Sequence, residues 1–210
     1  MRLADIKGSY DAILSLGDLC APSIQLEKHK LRPYSGVLDW MGSHNLSDVN
    51  RLLRNRFHGF MELANLKVIG HASEKIFLVV DEAYNIASNH DFYVARNKAS
   101  HLSTYPEVKA KYDRRVARFI EKTSTCKKIL FIRTGGTPDQ VVELQSVLSE
   151  LVKHDFNVLF VEHTNVSGIV ETHWPIPKVC SIQLPNHNFL FGNDHLWSQI
   201  LHDIHLHEYC

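Results

Sequence analysis

The sequence predicts an α/β fold: a single three-layer sandwich over residues 1–210, with a mostly parallel sheet and helices on both faces. Three observations carry this. Lys128-Ile-Leu-Phe-Ile-Arg133 is a continuous apolar run of the kind found in strands buried on both sides. A second such run, Asn157-Val-Leu-Phe-Val-Glu162, follows an amphipathic stretch from Val141 to His154, and the whole unit spans about 35 residues, the length of a βαβ crossover. Finally, the 210-residue chain is 44% hydrophobic and 22% charged, a globular composition. A chain of that length buries roughly 70% of its unfolded surface and needs no disulfide to hold a core.

Tyr10 to Leu16 is a short apolar run closed by Gly17 and reads as a strand. Asp18 is a suitable N-cap for a helix from Leu19 to Leu31, with Pro22 in the first turn, where a missing N–H costs little. Cys20 therefore falls at the start of a helix that directly follows a strand. Arg32 to Trp40 reads as a turn and a short extended piece, and Leu46 to Met61 as a helix capped by Asn45 or Ser47. Lys75 to Val80 and Tyr84 to Phe92 suggest an antiparallel hairpin near residues 75–92, turning at Asp81-Glu82. Val108, Tyr112, Val116 and Ile120 recur every four residues and predict a helix from Val108 to Glu121. Thr134-Gly-Gly-Thr-Pro138 is the turn between the first buried strand and its helix. Val179 to Leu184 is a further strand, and Asp194 to His205 a closing helix.

Lys plus Arg is 23 and Asp plus Glu is 23, so no overall basic field would attract nucleic acid or an anionic membrane. No apolar run approaches the ~18 residues of a membrane span. Cys20, Cys126, Cys180 and Cys210 show no paired spacing, and Met1 to Asp5 lacks an apolar leader core. These features predict a cytoplasmic protein with four reduced thiols.

Sites in open α/β sheets form beyond the carboxyl ends of the strands. A cysteine there, at a helix N-terminus, is expected to have a lowered pKa and to act as a nucleophile. It needs a histidine base, for which His90, His163 and His195 are all candidates. Asp39 or Asp91 could orient the imidazole, and strand alternation places Asp91 on the face opposite His90. Backbone amides between Gly17 and Cys20 are expected to hold an oxyanion. Asp18, Asn89, Asp91, Arg115 and Arg133 are the expected substrate contacts around the site. Arg133 with Arg114 or Arg115 also suits an anionic ligand. The Thr134–Thr137 turn fits no dinucleotide or P-loop pattern. His202 and His205 would share a helix face, with His207 and Cys210 beyond, but they lack the paired spacing of a zinc site. No metal and no cofactor are expected.

The run Tyr10-Asp-Ala-Ile-Leu-Ser-Leu-Gly-Asp-Leu-Cys20, then Leu31-Arg32, then Ser35-Gly-Val-Leu-Asp39-Trp40, resembles a bacterial family of unknown function described as putative papain-like cysteine peptidases. His90-Asp91-Phe92, Arg114-Arg115-Val-Ala-Arg118-Phe119 and Phe131-Ile-Arg133 extend the resemblance over nearly the whole chain. It departs at Val37-Leu38, where that family has Pro-Phe. The resemblance implies Cys20 as nucleophile and His90 as base, acting on a peptide, amide or small acyl substrate, and leaves the third member open. A papain-like fold would pair the cysteine's helix with an antiparallel sheet, whereas the pattern of this chain is parallel. The leading reading is a cysteine-dependent hydrolase or acyltransferase using Cys20, His90 and Asp39. The other two are a non-catalytic anion binder and an SGNH-like esterase pairing Cys20 with His195.

Overall fold

A computed structural model describes residues 1–207. In chain order, β1 (Gly8–Tyr10) and β2 (Ala12–Ser15) lead into α1 (Ala21–Lys28). Next come β3 (Met41–Gly42), α2 (Leu46–Arg54), β4 (Leu66–Ser73), β5 (Ile76–Asp81) and β6 (Ile86–Ser88). The remainder is α3 (Tyr105–Thr125), β7 (Lys128–Thr134), α4 (Pro138–Leu151), β8 (Asp155–Thr164), β9 (Val170–Glu171), β10 (Val179–Pro185), α5 (Asp194–Leu201) and β11 (Ile204–Leu206).

The main sheet has the order β2-β7-β8-β10-β9, parallel except for the edge strand β9. The two apolar runs are neighbours in it, with Phe131 opposite Val158 and Ile132 opposite Leu159. Alternation along β7 explains why the run is continuous. Ile129 and Phe131 enter one core with residues of α2, α3 and α4, while Leu130 and Ile132 enter a second with residues of α1 and α5. Both faces are covered, as the α/β sandwich requires.

A separate antiparallel sheet, β3-β6-β5-β4, is inserted between α1 and α3. Its β5–β6 pair is the expected hairpin, with Val80 opposite Ala87 and Asn85 in the left-handed region at the turn. Its outer strand β4 was not expected, because Gly70 and two register shifts interrupt its alternation.

Several boundaries differ for local reasons. The run from Tyr10 to Leu16 is two strands: β1 pairs with β11, and only β2 joins the main sheet. The helix expected to reach Met61 ends at Arg54, since Arg56 and Phe57 adopt positive φ angles of 49° and 61°. α4 begins at Pro138, three residues early, because Thr137 and Gln140 form a reciprocal capping box. α5 ends at Leu201, so His202 caps it and His205 lies in β11. The shared helix face expected for these two histidines does not form, and Cys210 lies outside the described residues.

The thiol expectation is corrected at one position. Cys20 and Cys180 are free, but Cys126 is disulfide-bonded. The cytoplasmic expectation drew on the unpaired cysteine spacing and on a start without an apolar leader core, and the bond at Cys126 removes the first of these supports. Mass spectrometry after unfolding with a thiol blocker and no reductant should show Cys20 and Cys180 labelled and Cys126 unlabelled. Labelling of Cys126 before reduction would contradict the bond. Among the described residues no helix is long and apolar enough to cross a membrane.

Candidate active site

β2 delivers the chain to a turn at its carboxyl end, and the turn sets the cysteine. Gly17 has φ 86° and precedes a cis peptide to Asp18. Cys20, rather than Asp18, is the N-cap of α1, and its carbonyl accepts from Ile24 N at 2.9 Å. Strand β7 fastens the turn: Thr134 N donates to Gly17 O at 3.0 Å, and Asp18 N donates to Thr134 Oγ1 at 3.0 Å.

The strongest fastening is Arg133, whose side chain is fully buried. Its Nη1 donates to Leu16 O at 2.8 Å and to Ser43 Oγ at 3.0 Å. Nη2 donates to Ser43 O at 2.7 Å, and Nε to Gly135 O at 3.0 Å. Ser43 in turn donates from its backbone N to Asp18 O at 2.9 Å. This buried cation therefore joins the cysteine's turn to the segment just after β3. Burial lowers its pKa to about 10, and the charge of Asp18 opposes that shift.

The close fit makes Gly17 sensitive. A Cβ there would lie 2.3 Å from Ser43 Oγ, on a backbone that side chains rarely adopt. Gly17→Ala should lower stability by about 2 kcal/mol, combining strain and overpacking. Urea unfolding checks this, and an unchanged midpoint would contradict the packing.

The histidine comes from the other sheet. His90 follows β6 in a turn anchored by the next residue: Asp91 accepts from Ser88 Oγ at 2.5 Å, from Tyr112 OH at 2.7 Å and from Lys111. Burial works to raise the Asp91 carboxyl, but those donors outweigh it and hold it below the ordinary value. β3 pairs with β6, Met41 opposite Ser88, and this brings Trp40 alongside. The Trp40 ring meets His90 edge-on, with centroids 5.8 Å apart at 76°. In this arrangement His90 Nε2 lies 3.6 Å from Cys20 Sγ.

Asp39 lies close by without touching the imidazole. It is buried, accepting from Gly36 N at 2.7 Å and from Arg32 Nη1 at 3.1 Å. Arg32 stacks over Trp40 at 5.1 Å. By contact, Asp39 connects to the ring through Arg32 and Trp40. Among the described residues no carboxylate is hydrogen-bonded to His90, so the orienting contact expected from Asp39 is corrected.

The expectation for the thiol is also corrected. Burial pushes the Cys20 pKa up, the nearby Asp39 charge adds to this, and the backbone N–H of Cys20 itself opposes it. Burial likewise raises Asp39, against the hydrogen bond from Gly36 and the charge of Arg32. Burial thus opposes the thiolate, despite the cysteine's place at a helix start.

The other expected contacts divide into two groups. Arg133 spends its donors on the protein, and the Asp91 side chain is only 6% exposed with its oxygens occupied, so neither presents a face to a substrate. Arg115 stacks on the Tyr112 ring at 5.3 Å and lines a small recess with Tyr34 and Val37. Asn89, next to His90, has a buried Oδ1 without a hydrogen bond. Asp18 lies 2.8 Å from His44 and lines a cavity beside the cysteine. The amides of Gly17 and Asp18 are used by Ser15 Oγ and Thr134 Oγ1. Of the amides expected to hold an oxyanion, those two are therefore already engaged, whereas a helix leaves its first-turn amides unsatisfied.

Of the three candidate histidines, His163 bonds Pro185 O through Nδ1 at 3.0 Å. His195 is exposed on α5. Its neighbour Asp194 accepts from Gln25 and Lys28, five and eight residues into α1 from Cys20 and about 8–12 Å along the helix. Trp40, Arg32 and Ser43 are the participants the sequence did not single out. Trp40 and Arg32 lie in the resembling segments but read only as parts of a turn and a short extended piece.

No solved structure matches the chain. A curated protein, "Uncharacterized protein R408" of Acanthamoeba polyphaga mimivirus, is 28% identical over 167 residues, covering 70% of this chain and 74% of its own length. That relative is viral rather than bacterial. The model of the family described as "Putative papain-like cysteine peptidase (DUF1796)" matches residues 11–166, a span that contains both Cys20 and His90, and the chain belongs to that family.

Proposed function

We propose that the protein is a cysteine-dependent hydrolase or acyltransferase that breaks an amide or ester bond, with Cys20 as nucleophile and His90 as base. The observation that carries the reading is the 3.6 Å separation of Cys20 Sγ and His90 Nε2, groups supplied by different sheets. The family description adds support for a peptide substrate.

The chemistry starts from a Cys20 thiol whose pKa burial raises. The sulfur attacks the carbonyl carbon as its proton passes to His90 Nε2, forming a tetrahedral oxyanion near the first-turn amides of α1. His90 returns that proton to the leaving amine or alcohol, leaving a thioester on Cys20. Water or another acceptor then attacks the thioester. His90 takes the acceptor's proton and gives it back to the departing sulfur. Trp40, braced by Arg32 and Asp39, limits the directions in which the ring can turn.

The anion-binding alternative loses its central residue, since Arg133 has no exposed face. The esterase alternative needs His195, which sits beside the middle of α1 rather than its start. Incubation with p-nitrophenyl acetate, acid quench and peptide mass mapping tests the proposal. An acetyl thioester on Cys20, absent from Cys20→Ala and slow to form in His90→Ala, is the expected result. Acetylation elsewhere only, or an equal rate in His90→Ala, would overturn it.

A further inference from the structure

A second recess opens at the same edge of the parallel sheet. A cavity of about 260 Å³ lies beyond the ends of β7 and β8, lined by Asp18, Leu19, the Thr134–Gly136 turn, Glu162, His163 and Phe189. Leu19 is the residue before Cys20, so their Cα atoms are about 3.8 Å apart. Strand ends of this kind are where α/β sheets bind ligands.

The polar side chains around this cavity are mainly hydrogen-bond acceptors. Asp18 Oδ1 is buried and lies 2.8 Å from His44 Nδ1, but makes no well-directed hydrogen bond. His163 donates Nδ1–H to Pro185 O, which leaves Nε2 as a buried acceptor with no donor among the described residues. Burial lowers the His163 pKa and keeps that lone pair free. Glu162 receives Gln183 Nε2 on one oxygen at 3.1 Å. No lysine or arginine is among the lining residues. Arg133 lies near Asp18 but directs four of its five N–H donors to Leu16, Ser43 and Gly135. Phe189, 5.5 Å from the His163 ring, adds an aromatic wall.

Buried acceptors without donors favour a ligand that brings donors. Two carboxylates disfavour an anion, and an aromatic face accommodates a cation. An ammonium group offers three N–H donors and a positive charge in one small head. We propose that this cavity binds a positively charged amine of the substrate, holding it while Cys20 attacks a nearby carbonyl. The inference rests on Cys20 being the reacting group. The amine can be the free N-terminus of a peptide or the end of a lysine side chain, since the recognition chemistry is shared.

Chloroacetamide probes separate the possibilities without requiring turnover. Cys20 sulfur displaces chloride, forming a thioether, and its proton goes to His90 or solvent. Four probes would be compared: one with an ammonium on a two-carbon arm, one with it on a five-carbon arm, and the N-acetylated neutral form of each. The expected result is that an ammonium probe labels Cys20 about tenfold faster than its neutral partner, the scale of one charge-assisted hydrogen bond. Preference for the short arm points to an N-terminal amine, and for the long arm to a lysine side chain. The ratio should fall towards one in Glu162→Gln and at high salt. Because it is taken within each protein, a general loss of thiol reactivity cancels. Equal rates for charged and neutral probes, or a ratio unchanged in both Glu162→Gln and Asp18→Asn, would overturn the cavity assignment. Cys20 that labels selectively but never forms an acyl thioester would instead count against the proposed function alone.

Discussion

Replacing Arg133 with Met is expected to cost about 3 kcal/mol of stability and to uncouple Cys20 from His90. Methionine fills much of the same volume and removes a buried charge, which is favourable. It also strips donors from Leu16 O, Ser43 O and Ser43 Oγ, which are buried, and from Gly135 O, which is partly buried. Each orphaned acceptor costs about 1–3 kcal/mol, and removal of one partner from a buried charged cluster typically costs 3–5 kcal/mol. Relief of the ion's desolvation brings the expectation to the low end of that range. Lysine, with a point charge instead of a planar fork, should recover only part of the loss. Urea unfolding measures the stability, and iodoacetamide labelling of the folded variant measures the site. A variant as stable as the parent, with Cys20 reacting unchanged, would show that the clamp positions nothing.

The parallel half of the fold was legible because its strands are covered on both sides. Burial on two faces demands unbroken apolar runs, and Ile129–Ile132 and Val158–Val161 supply them without ambiguity. The antiparallel insert was only partly legible. β5 and β6 are short but apolar, whereas β4 is an edge strand whose side chains are mostly half-buried or exposed, and Gly70 breaks its rhythm. Positive-φ residues such as Arg56 and Phe57 ended a helix where composition allowed it to continue.

The site divides along the same line. Cys20 could be placed at a strand-to-helix turn because that junction is local in sequence. The choice among His90, His163 and His195 could not be made locally, since it depends on how the inserted sheet docks beside β2. The family resemblance, rather than periodicity, pointed to His90. The expectation of a lowered thiol pKa considered only the helix N-terminus and a histidine partner. It omitted burial and the charge of Asp39, both of which act in the opposite direction. The role expected of Arg133 failed for a related reason: a strand-end arginine looks exposed until the segment that covers it, around Ser43, is in place.

The raised Cys20 pKa leads to the second large effect, in which His90→Ala lowers acyl-transfer turnover by about 10²–10⁴-fold while leaving the pH profile of alkylation nearly in place. With the thiol raised, the sulfur is mostly protonated at pH 7, and the base must remove the proton during attack, a contribution of that size. Alkylation by iodoacetamide reports the thiolate directly. Its rate in the folded protein should rise with pH along a limb displaced upward from that of the unfolded chain, because the folded pKa exceeds the unfolded one. By linkage, the thiol's stabilising contribution is complete below the unfolded pKa and is lost as pH rises through the folded value. Cys180 does not confuse the measurement, since burial pushes its thiol up to about 12. The causes can be separated by substitution. Asp39→Asn removes the second cause and should move the limb towards lower pH, with Asn still able to accept from Gly36 N. His90→Ala removes neither burial nor Asp39 and should shift the limb little. Fast labelling of Cys20 that stays flat down to about pH 6 would mean a preformed thiolate–imidazolium pair. In that case the proton moves before the substrate arrives, and the stepwise transfer proposed for His90 would be wrong.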